Sequence, residues 1–246
     1  MYTQFAKIYD RLMGDLDYPA WARHYLRLLQ LCGVQPQTLC ECGCGTGLLS
    51  VELARLGPKL TASDLSTEML QIAAQRARQN GLTIPFVAMD MRRIALHRPV
   101  DALVCGCDGV NYLCAQSDLS AFFAAAQRCL KPGGAIAFDI SSAHKLRGMC
   151  EQKQFFEDMD ELTYLWTNSW DEPGGCVEME LSCFLRGDDG RYDRFDEHQR
   201  QRAHDAASIE RALRDAGFAD VRRYGDMTEQ PPLPDAARIH FTAIRK

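Results

Sequence analysis

Glu41-Cys-Gly43-Cys-Gly45-Thr-Gly47 is the most informative segment of this chain. A short apolar run over residues 38–42 predicts a strand before it, and leucines at helical spacing follow from Leu48. Glycines in a strand-to-helix turn let the backbone approach a ligand closely, and the start of a helix favours an anionic group. Position 48 is leucine, which weakens a match to the GxGxxG dinucleotide fingerprint. The loop therefore predicts a ligand site; the alternative is a tight turn with no ligand.

Strands and helices alternate on both sides of this loop. Further strands are predicted over residues 59–63, 84–88, 101–107 and 135–140, with helices capped by Ser66 and Ser117. Five strand–helix alternations predict a parallel sheet covered on both faces. Two helices are predicted before this core, and the second begins at Pro19.

The pattern changes after the fifth strand. Three antiparallel strands are predicted over residues 162–170, 176–185 and 191–202, with Val177, Met179, Leu181 and Cys183 forming one apolar face. A helix over 208–216 and strands over 218–224 and 238–244 end the chain. We divide it into an N-terminal helical segment (1–34), a ligand-binding core (35–142), an antiparallel insert (143–205) and a completion of the core (206–246). We expect the insert to act as a lid over the carboxyl ends of the parallel strands.

Composition narrows the class of protein. The 246 residues are 46% apolar and 25% charged, which is ordinary for a globular chain. The net charge of −5 argues against the broad basic surface of a nucleic-acid binder. No signal-peptide or membrane-spanning pattern is found, so we expect a cytoplasmic protein whose eleven cysteines are reduced. Because the cysteines lack CxxC spacing, we interpret them as small buried hydrophobes and predict no metal site.

Three acids follow the later strands. Asp64 lies 23 residues after Glu41, Asp90 precedes Met91, and Asp108 follows the fourth strand. Ligands of parallel sheets bind at the carboxyl ends of the strands, so we expect the four acids to rim one crevice. The alternatives are a helix-capping role for Asp64 and an exposed loop position for Asp90.

With these residues in place, the chain resembles the class I S-adenosylmethionine-dependent methyltransferases. The resemblance rests on the glycine loop, Ala-Ser-Asp-Leu-Ser66, Ala-Met-Asp-Met91 and Leu-Lys-Pro-Gly-Gly134. It implies a Rossmann-like seven-stranded, mostly parallel α/β sheet whose last strand is antiparallel. The opening Phe5–Asp10, Tyr18 and Trp21 are similar to the small-molecule branch, including glycine N-methyltransferase-like enzymes, in which such aromatics close over the cofactor.

The same resemblance implies how S-adenosyl-L-methionine is held. The glycine loop lies against its methionine end, Asp64 holds the ribose, and Asp90 with Met91 flanks the adenine. The predicted cofactor-binding residues are Tyr9, Trp21, Glu41, Gly43, Cys44, Gly45, Gly47, Asp64, Leu65, Met69, Asp90, Met91 and Asp108.

Methyl transfer mainly requires that the acceptor be held in line with the methyl group in a dry site. We predict Tyr112 and His198 as catalytic residues, with His198 a candidate proton acceptor on the insert. The alternative for His198 is a structural histidine. Arg194, Arg200 and Arg202 either bind an anionic acceptor or form a solvated strand face beside Glu178 and Glu180.

The sequence thus predicts methyl transfer to a small soluble acceptor by a monomer or homodimer that binds neither nucleic acid nor membrane. Three alternatives remain open: an RNA or protein methyltransferase, an aminopropyltransferase, and a non-catalytic S-adenosylmethionine-binding regulator.

Overall fold

A computed structural model describes residues 5–13, 16–151 and 154–246, apart from the side chain of Lys7. The predicted domains 1–34 and 143–205 each include a few residues outside this described part.

Seven helices and eleven strands make up the described chain. The helices are α1 (Phe5–Leu12), α2 (Tyr18–Leu31), α3 (Leu48–Arg55), α4 (Thr67–Gln79), α5 (Gln116–Cys129), α6 (Ala143–Gly148) and α7 (Ala206–Asp215). The strands are β1 (Thr38–Cys42), β2 (Lys59–Asp64), β3 (Phe86–Ala88), β4 (Val100–Cys105), β5 (Leu130–Ser141), β6 (Gln154–Met159), β7 (Leu162–Asp171), β8 (Cys176–Arg186), β9 (Tyr192–Arg202), β10 (Phe218–Tyr224) and β11 (Arg238–Arg245). Two short 3-10 helices cover Met91–Arg93 and Gly109–Tyr112.

The main sheet has the order β10-β11-β5-β4-β1-β2-β3. Strands β1 to β5 are parallel, whereas β11 runs antiparallel to both of its neighbours. Both faces are covered: Leu39 and Ala102 pack under α2 and α3, while Cys40 and Leu103 pack under α5 and α7. The alternation of strand side chains between two apolar layers explains the near-continuous apolar runs in the sequence. The predicted fold class is confirmed.

The insert is a separate antiparallel sheet of four strands in the order β6-β7-β8-β9. The prediction of three strands was wrong because it missed β6. That strand lies at the edge of the sheet, and one of its two phenylalanines, Phe156, is 69% exposed, so its sequence shows no clear alternation. The apolar face of β8 is buried as expected, against Phe5 and Ile8 of α1 and Met69 of α4.

Asn111 joins the two points at which the chain enters and leaves the insert, Ser141 and Arg202, which we call the neck. Its side-chain amide donates to the carbonyl of Ser141 at 2.9 Å and to that of Arg202 at 2.8 Å. Its Oδ1 accepts from the amide of Ser141 at 2.9 Å. One fully buried side chain therefore joins the last residue of β5 to the last residue of β9.

Of the two predicted helix caps, Ser66 and Ser117, only Ser66 is observed, and the cap at Asp17 was not predicted. Asp17 caps α2, with Pro19 in its first turn, and Ser66 caps α4 by accepting from the amide of Met69. Ser117 does not cap α5: the helix begins one residue earlier and Ala115, which has no capping side chain, occupies the cap position. The third strand is also shorter than predicted and begins at Phe86.

Among the described residues, no helix is both long enough and apolar enough to cross a membrane.

Candidate functional site

A cavity of about 360 Å³ lies at the carboxyl ends of β1, β2 and β4. It lies among the glycine loop, the segments that follow β2, β3 and β4, α1, α2 and β9. Eleven of the predicted site residues line it: Tyr9, Glu41, Gly43, Cys44, Gly45, Asp64, Leu65, Met69, Asp90, Met91 and Tyr112. The structure does not bring Trp21, Gly47, Asp108 or His198 to the wall of the cavity.

The glycine loop is left-handed at three positions. The φ angles of Gly43, Gly45 and Gly47 are 67°, 52° and 78°, values that side-chain-bearing residues rarely adopt. A Cβ at Gly43 would lie 3.5 Å from Met91, and one at Gly45 would lie 3.8 Å from the ring of Tyr9. Because Met91 and Tyr9 line the cavity, glycine at these two positions keeps the space in front of the loop open.

Gly47, which does not line the cavity, packs closely against α4. A Cβ there would lie 2.8 Å from the Cβ of Ala73 on α4, closer than real side chains approach. The missing side chain at Gly47 therefore lets α3 and α4 pack together, and it leaves the ligand cavity unaffected.

Asp64 ends β2 with both carboxylate oxygens held by backbone amides. Oδ2 accepts from Gly45 at 2.8 Å, and Oδ1 accepts from Ser66 at 2.9 Å. The carboxylate thus ties the glycine loop to the start of α4 while it lines the cavity. A carboxylate has about four acceptor sites, so Asp64 retains capacity for further donors.

Glu41 is buried at the base of the cavity, where the hydroxyl of Ser50 donates to it. Burial raises the pKa of this carboxyl to about 8, although the Ser50 hydrogen bond lowers it. Glu41 is therefore largely protonated at neutral pH.

Asp90 and Met91 line the opposite side of the cavity. Asp90 begins the 3-10 helix by accepting from the amide of Arg92, and it also pairs with the guanidinium of that residue at 2.6 Å. This hydrogen bonding lowers the pKa of Asp90, which stays ionised. Arg92 in turn reaches Asp118 at 3.2 Å, so its charge is already shared between two carboxylates.

Asp108 is turned away from the crevice, contrary to the prediction. Cys107 and Asp108 both have left-handed φ angles, of 54° and 53°. The amide of Asp108 donates to the buried Asp139 at 2.9 Å, and its carboxylate accepts from the hydroxyl of Ser141 at 2.7 Å. The turn thereby presents Gly106, Cys107 and Gly109 to the cavity instead of the acid.

Trp21 belongs to the core rather than to the cavity. Its ring packs at a tilted angle against those of Tyr25 and His240, and the guanidinium of Arg238 lies 4.9 Å from its centre. The neighbouring Tyr18 lines the cavity in its place. Burial raises the pKa of the phenol of Tyr18, as it does for Tyr9, so both hydroxyls are neutral.

Gln199 of β9 was missed by the sequence analysis. Its Oε1 accepts from the hydroxyl of Tyr112 at 2.9 Å, and both residues line the cavity. The available signal was the second face of β9, where Glu197, Gln199 and Gln201 alternate and are buried. The prediction instead followed the charged face of the same strand.

His198 lies on that charged face. Its side chain is 60% exposed, and its Nε2 lies 3.0 Å from a carboxylate oxygen of Glu178. Arg200 pairs with the same glutamate at 2.8 Å. The solvated strand face that was the alternative for the arginines is observed at Arg200, and His198, on the same face, does not line the cavity.

Within the described ranges, no three His, Cys, Asp or Glu side chains are grouped so that they could hold a metal ion.

Known proteins resemble this chain at three levels. A methyltransferase-domain family model matches residues 39–134. A Geobacillus sp. (strain WCH70) protein with a methyltransferase name is 33% identical over 243 residues, which is 98% of each chain. The crystal structure of an S-adenosylmethionine-dependent methyltransferase from Clostridium acetobutylicum has a TM-score of 0.88 and 30% identity, and the match covers 99% of this chain and 98% of that one.

A more distant likeness concerns the fold alone. CalS10, an amino pentose methyltransferase from Micromonospora echinaspora solved with S-adenosylmethionine bound, has a TM-score of 0.75 at 18% identity, over 97% of each chain. Together with the glycine loop and the acids that line the cavity, the full-length relatives establish that this chain belongs to the class I S-adenosylmethionine-dependent methyltransferases.

Proposed function

We propose that this methyltransferase acts on a small soluble acceptor by in-line displacement and belongs to the small-molecule, glycine N-methyltransferase-like branch. The observation that carries the proposal is the aromatic part of the cavity wall. There Tyr9 and Tyr18 from the N-terminal helices meet Tyr112 and Gln199 from the core and the insert. A pocket closed by three separate parts of the chain suits a molecule of metabolite size better than a polymer.

The residues present fit S-adenosylmethionine at the other wall. The open space in front of Gly43 and Gly45 suits the methionine end, whose ammonium and sulfonium are compatible with the nearby carboxylates. Asp64 has acceptor capacity left for the two ribose hydroxyls. Met91 would cover the adenine, and the carboxylate of Asp90 beside it would accept a hydrogen bond from the adenine amino group.

The bound cofactor supplies an electrophilic methyl group on a sulfonium. The part of the protein is then to orient the acceptor and to exclude water. Tyr112 and Gln199 are joined by a hydrogen bond and would contact the acceptor, while Tyr9 and Tyr18 cover the cavity. Among the described lining residues there is no histidine or lysine. An acceptor whose nucleophile is protonated would lose that proton to a carboxylate of the cavity wall or to water.

The charge of the cavity wall further limits the classes of acceptor that can bind. Asp64, Asp90 and Asp118 line the cavity, and Arg92, the one arginine among the described lining residues, is already paired with Asp90 and Asp118. An anionic acceptor would meet this excess of negative charge without a counter-ion. A neutral molecule or an amine is favoured, and the amino pentose acceptor named for CalS10 is of that kind.

All eleven cysteines are free, which supports the cytoplasm, a reducing compartment, as the proposed location.

The decisive experiment is a turnover screen. The purified protein is incubated with S-adenosylmethionine and matched sets of small amines, alcohols, phenols and carboxylic acids, and S-adenosylhomocysteine is measured. We expect turnover with a neutral compound or an amine, and a product heavier by one methyl group. Salt-sensitive methylation of RNA, or methylation of protein alone, would contradict the proposal. Addition of an aminopropyl group to the acceptor would identify the protein as an aminopropyltransferase. Cofactor binding without turnover on any acceptor would indicate a non-catalytic regulator.

A further inference from the structure

Asp10, a side chain of α1, holds the glycine loop through hydrogen bonds. Asp10 on α1 accepts from the hydroxyl of Thr46 at 2.6 Å through Oδ1. Its Oδ2 accepts from the guanidinium of Arg76 on α4, and the same guanidinium donates to the carbonyl of Thr46. We call these three residues the clasp. They form a closed ring of hydrogen bonds that joins α1, the glycine loop and α4.

The clasp is next to the cavity on two sides. Thr46 is 1% exposed and lines the cavity, and Tyr9, which precedes Asp10, also lines it. The ring of Tyr9 lies against the backbone of Gly45, within contact distance of a Cβ built there. The position of Tyr9 over the cofactor space therefore depends on how firmly Asp10 is held.

The remainder of α1 is attached elsewhere. Phe5, Ala6 and Ile8 pack against the apolar face of the insert, and Arg11 pairs with Glu161 of the β6–β7 turn at 2.9 Å. These contacts fix α1 to the insert without touching the glycine loop. The clasp is thus the polar attachment through which α1 covers the loop that lies against the cofactor.

We propose that Asp10 and Arg76 are positioning residues that retain the cofactor: the clasp keeps Tyr9 and Thr46 closed over it, and release requires the clasp to open. Charge-assisted hydrogen bonds of this kind are stronger than neutral ones, and the arginine in the clasp is 19% exposed.

The test measures the dissociation rate of S-adenosylhomocysteine from the full chain by stopped flow. Asp10→Asn keeps the size of the side chain and its bond from Thr46 but removes the ion pair, and Arg76→Met removes both bonds of the guanidinium. We expect each variant to release S-adenosylhomocysteine about tenfold faster. The double variant should release it no faster than Arg76→Met alone, because the clasp acts as one unit.

Arg11→Gln is the matched control, since it breaks an ion pair of the same helix that lies away from the glycine loop. It should leave the release rate within about twofold of the wild type. Thermal unfolding of the ligand-free variants separates retention from stability, and we expect all midpoints within about 4 °C of the wild type. The proposal is overturned if Asp10→Asn and Arg76→Met leave the rate unchanged, if Arg11→Gln speeds release equally, or if the two clasp substitutions act additively.

Discussion

Glu41 sits at the base of the cofactor cavity as a buried acid that carries its proton at neutral pH. Its pKa in the folded chain, about 8, lies above its ordinary value of 4.5, so folding favours the protonated form. The stability it contributes is fully present below pH 4.5 and is lost as pH rises through 8. We expect this loss to be roughly 5 kcal/mol in the free energy of unfolding.

Glu41→Gln, which cannot ionise, should remove this pH dependence and be the more stable protein at pH 9. Urea unfolding of the ligand-free wild type and variant between pH 5 and pH 9 measures the difference. Parallel pH profiles for the two proteins would show that Glu41 is already ionised in the folded state.

A second prediction concerns the close packing around Gly47. Gly47→Ala places a side chain at a φ of 78° and 2.8 Å from the Cβ of Ala73. Gly33→Ala is a matched control, because Gly33 has the same φ of 78° and nothing within 4 Å of its added Cβ. Chemical denaturation should show a loss of about 1 kcal/mol for Gly33→Ala and of about 2–3 kcal/mol for Gly47→Ala. Equal losses would mean that α3 and α4 separate without cost.

Most cofactor-side residues could be predicted from the sequence because the glycine loop and the strand ends fix their place. Asp108 could not, since its direction depends on two left-handed residues and on Asp139, which lies 31 positions later. Trp21 and Tyr18 share a helix, and only the packing of that helix against Arg238 decides which of them faces the cavity.

The strand β9 has two different faces: Gln199 lines the cavity, whereas His198 lies on the exposed charged face. Tyr112→Phe and Gln199→Leu each break the hydrogen bond that joins the core to the insert inside the cavity. With the acceptor found in the screen, we expect kcat/KM to fall about tenfold for each variant, with S-adenosylhomocysteine affinity unchanged within about twofold.

His198→Ala provides the control for that measurement, because it alters the exposed face of the same strand. It should leave both quantities as in the wild type. A loss of turnover with His198→Ala equal to that with Gln199→Leu would place the acceptor on the outer face of the insert.

Element boundaries were predictable where side chains alternate or a cap is present. The strands β7, β8 and β9 have strong turn signals between them, and Ser66 marks the start of α4. By contrast β6 is held by its pairing with β7, and α5 begins without a capping side chain. Both depend on tertiary contacts, which local sequence does not encode.

For the whole molecule, two buried histidines contribute to the loss of stability in acid. Burial lowers the pKa of His24 and of His204 to about 4, from an ordinary value of 6.5. Because the folded pKa is depressed, the stability they contribute is present above pH 6.5 and is lost as pH falls through 4. We expect a loss of roughly 2–3 kcal/mol for each histidine.

Urea unfolding of the ligand-free protein at intervals between pH 7 and pH 4 measures this loss. His204→Gln should show a smaller decrease than the wild type over the same range, since one of the two groups is removed. An identical decrease in the variant would assign the acid sensitivity to other groups.

The neck at Asn111 has a consequence for how this enzyme can diversify. Because one amide side chain joins the two ends of the insert, Ser141 and Arg202 stay together whatever chain lies between them. The ends of the excursion are already held together, so lengthening or replacing it adds little closure entropy. The four-stranded sheet is in this sense an exchangeable cassette: a new cassette on the same neck brings a new wall to the acceptor pocket, while the glycine loop and Asp64 stay as they are.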